Sequence, residues 1–133
     1  MIEPNFDLTT IRLFLHLMAV TVWVGGQIVM MAILPALKAA GVEGHPAMVA
    51  KAFNGIAWPA MMIAIFTGIW NLLAVGETSS AWGATFGIKF IFVVLSGFGA
   101  LRHQKAEDPK KKGLFGAIGF GAAVIATFLG VAL

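Results

Sequence analysis

Residues 52–75 read AFNGIAWPAMMIAIFTGIWNLLAV, a run of 24 residues that contains no charged side chain. A helix needs about 20 consecutive apolar residues to cross the hydrocarbon core of a bilayer, so this segment is long enough to span it. Three further, largely apolar runs lie at residues 8–37, 81–101 and 113–133. The sequence therefore predicts an all-α fold, an integral membrane four-helix bundle embedded in a lipid bilayer.

The composition leaves no room for a soluble domain beside these runs. Charged residues make up 11% of the chain and hydrophobic residues 59%, whereas a soluble domain has about 25% charged residues. We therefore expect residues 1–133 to form a single membrane domain. The chain has no cysteine, which excludes disulfides, thiolate metal ligands and thiol catalysis. Its net charge of +3 resides near the helix ends, so nucleic acid is not an expected partner.

The loops carry the information on orientation. Turn-forming residues mark the three connections: Gly41, Gly44 and Pro46, then Gly76, Ser79 and Ser80, then Pro109. Basic residues collect in the third loop and at the edges of the first: Arg102, Lys105, Lys110, Lys111, Lys112, Lys38 and Lys51. Lysine and arginine accumulate on the cytoplasmic side of membrane proteins. We therefore expect the first and third loops in the cytoplasm and both termini outside.

Ionisable side chains inside a spanning helix are costly and usually serve function. Here they are Arg12, His16 and Lys89. At about 100° per residue, a polar stripe on the first helix contains Thr9, Arg12, His16, Trp23, Gln27 and Met30. The corresponding stripe on the third helix contains Trp82, Thr85, Lys89, Ser96 and Ala100. We expect these two stripes to face each other.

Depth in the membrane selects the centre of the candidate site. His16 and Lys89 each lie roughly 12 Å past the start of a helix that runs from outside to inside. The second helix runs the other way and brings Thr67 and Asn71 to the same outer half. We predict a site centred on His16 and Lys89, with Arg12 and Asn71 as further cofactor-binding candidates. Arg12 can alternatively extend to the membrane surface, and Asn71 can instead join two helices by hydrogen bonding.

Three segments resemble a known family. FLHLMAVTVWVGG (residues 14–26), FNGIAWPAMMIAIFTGIWNLLAV (53–75) and FGIKFIFVV (86–94) resemble the first three helices of the copper-resistance protein D (CopD) family. The chain is also similar to the HemJ-type protoporphyrinogen oxidases, whose first-helix His and third-helix Lys surround b-type haem. The motif PAM at Pro59–Met61 resembles that group too. These resemblances imply copper handling in the first case and a haem-dependent membrane oxidoreductase in the second.

Three functions follow as hypotheses. In the first, His16 is an axial ligand of b-type haem, while Lys89 and Arg12 meet the propionates. In the second, His16, Met30 and Met61 are soft ligands for Cu(I) during copper binding or transport. In the third, the chain is a non-catalytic subunit of a homo-oligomer or a larger membrane complex, joined through small residues.

Electrostatics favours the haem hypothesis over copper. A protonated amine such as Lys89 repels a bare cuprous ion, whereas it attracts the carboxylate of a haem propionate. Copper is the close alternative because the CopD resemblance implies it. Either function is expected for a multi-pass protein in the bacterial plasma (inner) membrane.

Overall fold

The computed structural model describes residues 1–41 and 43–133. Within these residues four helices are long and apolar enough to cross a membrane: α1 (Leu8–Ala39), α2 (His45–Ala74), α3 (Ser80–Lys105) and α4 (Pro109–Val131). The described part of the chain contains no strand. The prediction of an all-α membrane protein with four spanning helices is confirmed, and the chain is a multi-pass membrane protein.

Away from the helix ends, the exposed helix surfaces are mostly apolar. Large hydrophobic side chains stand out on every helix, among them Leu17, Ile28, Phe66, Leu73, Ile91, Val94, Leu114 and Phe128. In water such surfaces would form unfavourable apolar patches, whereas the acyl chains of a bilayer solvate them well. The helical backbone satisfies its own hydrogen bonds, as a lipid environment requires.

Three helices begin at a capping side chain that accepts a backbone N–H. Asp7 accepts from Thr10 at 3.0 Å before α1, and Ser79 accepts from Trp82 at 3.1 Å before α3. Asp108 takes the same role before α4. Such caps satisfy amides that have no partner inside the helix. The helix starts are therefore fixed by local polar chemistry.

Two proline positions differ from the prediction. Pro46 and Pro109, which the sequence predicts to lie in loops, belong to the first turns of α2 and α4. A first-turn residue has no intrahelical acceptor for its N–H, so proline is tolerated there. As a result α2 begins at His45 instead of residue 52, and α4 begins at Pro109 instead of residue 113. The loop glycines Gly41 and Gly44 have φ angles of +71° and +80° and do form the first connection.

Helix α1 contains one irregular segment. Thr21–Gly25 is a π-helix, a widened turn in which the backbone hydrogen bonds reach one residue further than in an α-helix. The side-chain amide of Gln27 donates to the Trp23 carbonyl at 2.9 Å. That bond gives the carbonyl a partner beside the widened turn. Segments of this type occur frequently near functional sites.

The chain divides into two compact units, Met1–Gly76 and Glu77–Leu133. The first unit, which we call the first hairpin, contains α1 and α2. As residue numbers increase along α1, the residues that they contact on α2 have decreasing numbers, so the two helices are antiparallel. These pairs are Arg12 with Asn71, His16 with Thr67, and Trp23 with Trp58.

The second unit, the second hairpin, contains α3 and α4 at very close approach. A Cβ atom placed on Gly99 would lie 2.6 Å from the Cα atom of Gly119. Small buried residues continue this contact along both helices: Ser96 on α3, and Ala122, Ala123 and Ala126 on α4. Small side chains let two membrane helices approach until their backbones touch. This hairpin is therefore held together by backbone proximity.

Candidate functional site

The first hairpin holds His16 by a defined hydrogen bond. The Nδ1 atom of His16 lies 2.9 Å from the Oγ1 atom of Thr67, whose side chain is buried. The Thr67 hydroxyl donates to the Ile63 carbonyl at 2.6 Å. A hydroxyl has only one hydrogen to donate, so Oγ1 must accept a hydrogen bond from Nδ1–H. In the neutral ring the lone pair then resides on Nε2, the atom that can coordinate a metal.

A glycine on α2 also restricts the His16 ring. A Cβ atom on Gly68 would lie 3.4 Å from the Cε1 atom of His16, at the edge of ordinary contact. The ring is therefore fixed by Thr67 at one nitrogen and by the Gly68 backbone along its edge. Such support determines the direction in which the Nε2 lone pair points.

Arg12 lies one helical turn from His16 toward the start of α1. Its Nε atom donates to the side-chain oxygen of Asn71. The guanidinium carbon lies 5.9 Å from the centroid of the Trp70 ring. Both partners are neutral, so the positive charge is held in place without being neutralised. The donors on the two terminal nitrogens suit a carboxylate or phosphate.

Lys89 belongs to the second hairpin and is partly buried on α3. A Cβ atom on Gly130 would lie 2.9 Å from the lysine Nζ atom. The Lys89 side chain therefore lies against α4 at Gly130, next to the end of that helix. His16 and Lys89 belong to different compact units. The predicted contact between these two residues, and between their two stripes, therefore stays a prediction.

The third-helix stripe contacts α4 within its own hairpin. The indole N–H of Trp82 donates to the Leu133 carbonyl at 3.4 Å. A Cβ atom on Gly119 would lie 2.9 Å from the Ala100 nitrogen and 3.2 Å from the Ser96 carbonyl oxygen. Trp82 and the backbone at Ser96 and Ala100 therefore lie against α4.

The three candidate copper ligands lie at different depths. Met30 is about 21 Å further along α1 than His16 at 1.5 Å per residue, so one ion cannot contact both side chains. Met61 is buried on α2, about 9 Å along that helix from the His16 partner Thr67. They are separate positions instead of one ligand set. Among residues 1–41 and 43–133, no group of three His, Cys, Asp or Glu side chains could hold a metal ion.

The sequence did not indicate a role at the site for two tryptophans of the first hairpin, Trp58 and Trp70. Trp58 packs edge-on against the buried Trp23, with ring centroids 5.3 Å apart and an interplanar angle of 64°. Trp70 underlies the guanidinium of Arg12. The sequence signal for Trp70 is weak, because it immediately precedes Asn71 and the two differ by about 100° around the helix. Only the side-chain geometry shows that both contact the same arginine.

The chain matches no protein-family model, no curated protein and no solved structure. The resemblance to the CopD and HemJ families therefore stays a prediction. The oriented imidazole of His16 and the neutral partners of Arg12 are the structural features that bear on function.

Proposed function

We propose that this protein binds b-type haem in the bacterial plasma membrane, with His16 as an axial ligand and Arg12 at a propionate. The observation that carries the proposal is the hydrogen bond between His16 and Thr67. It assigns the ring proton to Nδ1 and leaves the Nε2 lone pair as the coordinating atom. Thr67 also increases the basicity of the imidazole as a ligand.

The donor set suits haem better than a bare metal ion. A porphyrin brings its own in-plane nitrogens, so a single imidazole suffices as the protein ligand. The described residues 1–41 and 43–133 offer no cluster of three His, Cys, Asp or Glu side chains that would hold an ion alone. A single oriented imidazole therefore meets the protein-ligand requirement of haem.

Arg12 supplies the second requirement, a fixed cation for a carboxylate. Its charge is held by an amide oxygen and an aromatic face, and the donors on its terminal nitrogens match a propionate. The sequence prediction adds Lys89 as a further propionate partner. When bound, haem would supply one-electron chemistry. The residues of this chain would bind the group and orient the imidazole, with the Nδ1–H of His16 donating to the Thr67 hydroxyl oxygen.

Copper binding is the second candidate function. Met61 offers a buried thioether in the same hairpin as His16, and sulfur with imidazole is a donor pair that favours Cu(I). The separation of Met61 and Met30 from His16 favours successive sites over one shared site. Such positions would suit passage of an ion along the hairpin.

The test is a visible spectrum of the protein purified in mild detergent, together with metal analysis. We expect a Soret band that shifts on reduction in the wild type and is lost in His16→Ala. The matched control is His45→Ala, because His45 begins α2 at the opposite end of the first hairpin. This control should retain the full Soret absorbance.

Each other outcome changes the assignment. Stoichiometric copper without a Soret band would replace haem by copper. A folded protein with neither group would favour the non-catalytic subunit of a larger membrane complex. A Soret band that survives His16→Ala would refute His16 as the axial ligand.

A further inference from the structure

The connection between α3 and α4 carries a concentrated positive charge. We call residues 102–112 the basic turn; its five cationic side chains are all exposed: Arg102, Lys105, Lys110, Lys111 and Lys112. Two carboxylates, Glu107 and Asp108, lie in the same segment. Asp108 accepts from the backbone N–H of Lys110 at 3.2 Å and so is engaged in capping α4. The turn therefore keeps an excess of positive charge.

Arg102 locates this charge at the edge of the apolar region. Its guanidinium carbon lies 5.3 Å from the ring centroid of Phe115 and 5.9 Å from that of Phe98. The two phenyl rings pack edge-on against each other. Because Arg102 lies in the last turn of the spanning helix α3, we expect its guanidinium near the lipid headgroups.

His103 fixes the two helix ends relative to each other. Its Nδ1 atom lies 2.7 Å from the backbone carbonyl oxygen of Lys112. A carbonyl only accepts, so Nδ1 must be the donor. The ring also lies against Gly116, where a Cβ atom would approach Nδ1 to 2.9 Å. The lysine-bearing first turn of α4 is thus held beside Arg102, and the cations are gathered on one hairpin end.

We infer that the basic turn binds the headgroup of an anionic phospholipid. Four or more basic residues directly beyond a spanning helix are typical of anionic-lipid recognition. The lysine stems can lie along the apolar surface while their amines reach the phosphate. The first connection has a weaker charge, with Lys38 and Lys51 flanking Glu43. This inference does not depend on haem binding.

The test measures lipid retention by the full chain in detergent, using native mass spectrometry. Equal amounts of phosphatidylglycerol and phosphatidylcholine are added to the wild type, to the triple variant K110Q/K111Q/K112Q and to the control K38Q/K51Q. We expect the wild type and the control to prefer phosphatidylglycerol about fivefold or more, since each basic residue near an anionic surface contributes about that factor. The triple variant, which keeps Arg102 and Lys105, should lose most of this preference.

Loop lysines ordinarily help to set the orientation of a protein in a membrane. A detergent micelle encloses no aqueous compartment, so the measurement in detergent reports lipid binding and not orientation. If the triple variant fails to fold, as judged by circular dichroism, Arg102→Gln replaces it and should lower the preference. Equal retention of both lipids by the wild type would overturn the inference. So would an unchanged preference in the folded variants, a loss equally large in the control, or displacement of the lipid by inorganic phosphate.

Discussion

The hydroxyl of Thr67 decides which nitrogen of His16 carries the proton, because it donates its own hydrogen to a backbone carbonyl. Thr67→Val keeps the shape of the side chain but removes the acceptor. If the proposed haem site is correct, we expect haem affinity to fall by about 10–100-fold, the usual effect of losing the partner of a histidine ligand. Titration with haem, followed at the Soret band, measures the change.

The matched control for this substitution is Thr127→Val on α4. Thr127 donates to the Ala123 carbonyl of its own helix at 2.8 Å, as Thr67 does to Ile63, but it lies in the second hairpin. We expect wild-type haem affinity from the control and from Thr67→Ser. Equal losses from both valine variants would show a general defect and contradict the role of Thr67.

The cap that Asp7 forms before α1 should depend on pH. The hydrogen bond donated by the Thr10 backbone N–H lowers the pKa of Asp7 below its ordinary value of 3.8. A lowered pKa means that the cap contributes fully above pH 3.8 and is lost as the pH falls through the folded-state pKa. We expect the amide signal of Thr10 in an NMR titration to shift with a midpoint below 3.8.

Asp7→Asn is the control for this titration. Asparagine is also a good cap but has no acidic proton, so the Thr10 amide should not titrate in this range. A midpoint above the ordinary carboxyl value in the wild type would contradict the capping geometry.

The matching levels of the polar residues in the first hairpin follow from their spacing in the sequence, whereas side-chain directions do not. Arg12 and His16 are four residues apart, and so are Thr67 and Asn71, so two antiparallel helices bring both pairs to matching levels. The direction of the Lys89 side chain toward Gly130 could not be predicted, because a lysine has many rotamers and the choice depends on its neighbour.

The crossing of α3 and α4 is the element most sensitive to added volume. Gly99→Ala would place a methyl group against the Gly119 backbone, which cannot move aside as a flexible side chain would. We expect a loss of about 1–3 kcal/mol in the free energy of unfolding, the usual cost of overpacking. Titration with a denaturing detergent, followed by circular dichroism, measures it.

Gly121→Ala is the control for the crossing. A Cβ atom at Gly121 meets nothing within 4 Å among the described residues. We expect no loss, and a gain of up to about 1 kcal/mol from the better helix propensity of alanine. A loss as large as that of Gly99→Ala would mean that the crossing is not the cause.

The π-helix within α1 could not be predicted from the periodicity of the sequence. The predicted stripe on the first helix assumes about 100° per residue throughout, but Thr21–Gly25 turns more widely. Residues beyond it are rotated relative to Arg12 and His16, and Gln27 bonds to its own helix instead of a neighbour. Helix ends were misjudged for a related reason: caps and first-turn prolines set them, and hydropathy detects neither.

The molecule as a whole has a predicted orientation that can be tested directly. The chain has no native cysteine, so single variants at Glu77 and Lys111 give unique labelling positions. In bacterial cells we expect Glu77→Cys to react with a membrane-impermeant maleimide, since the second loop is predicted outside. Lys111→Cys should react only after lysis, because the basic third loop is predicted to face the cytoplasm. The reverse pattern would invert the predicted topology.

Hydropathy predicts the spanning segments because the bilayer sets the length of an apolar helix. It does not predict how helices pair, since lipid tails are as apolar as the side chains and provide no burial preference. The pairing of α1 with α2 and of α3 with α4 depends on details such as Gly99 meeting Gly119. Those details become visible only in three dimensions.

Three of the four tryptophans, Trp23, Trp58 and Trp70, lie in the hairpin that contains His16. Indole emission overlaps the absorption of an iron porphyrin. Excitation energy would therefore be transferred from these tryptophans to haem bound in the same hairpin. The first hairpin is thus its own optical reporter. Loading would dim the intrinsic fluorescence in proportion to occupancy, without any attached dye.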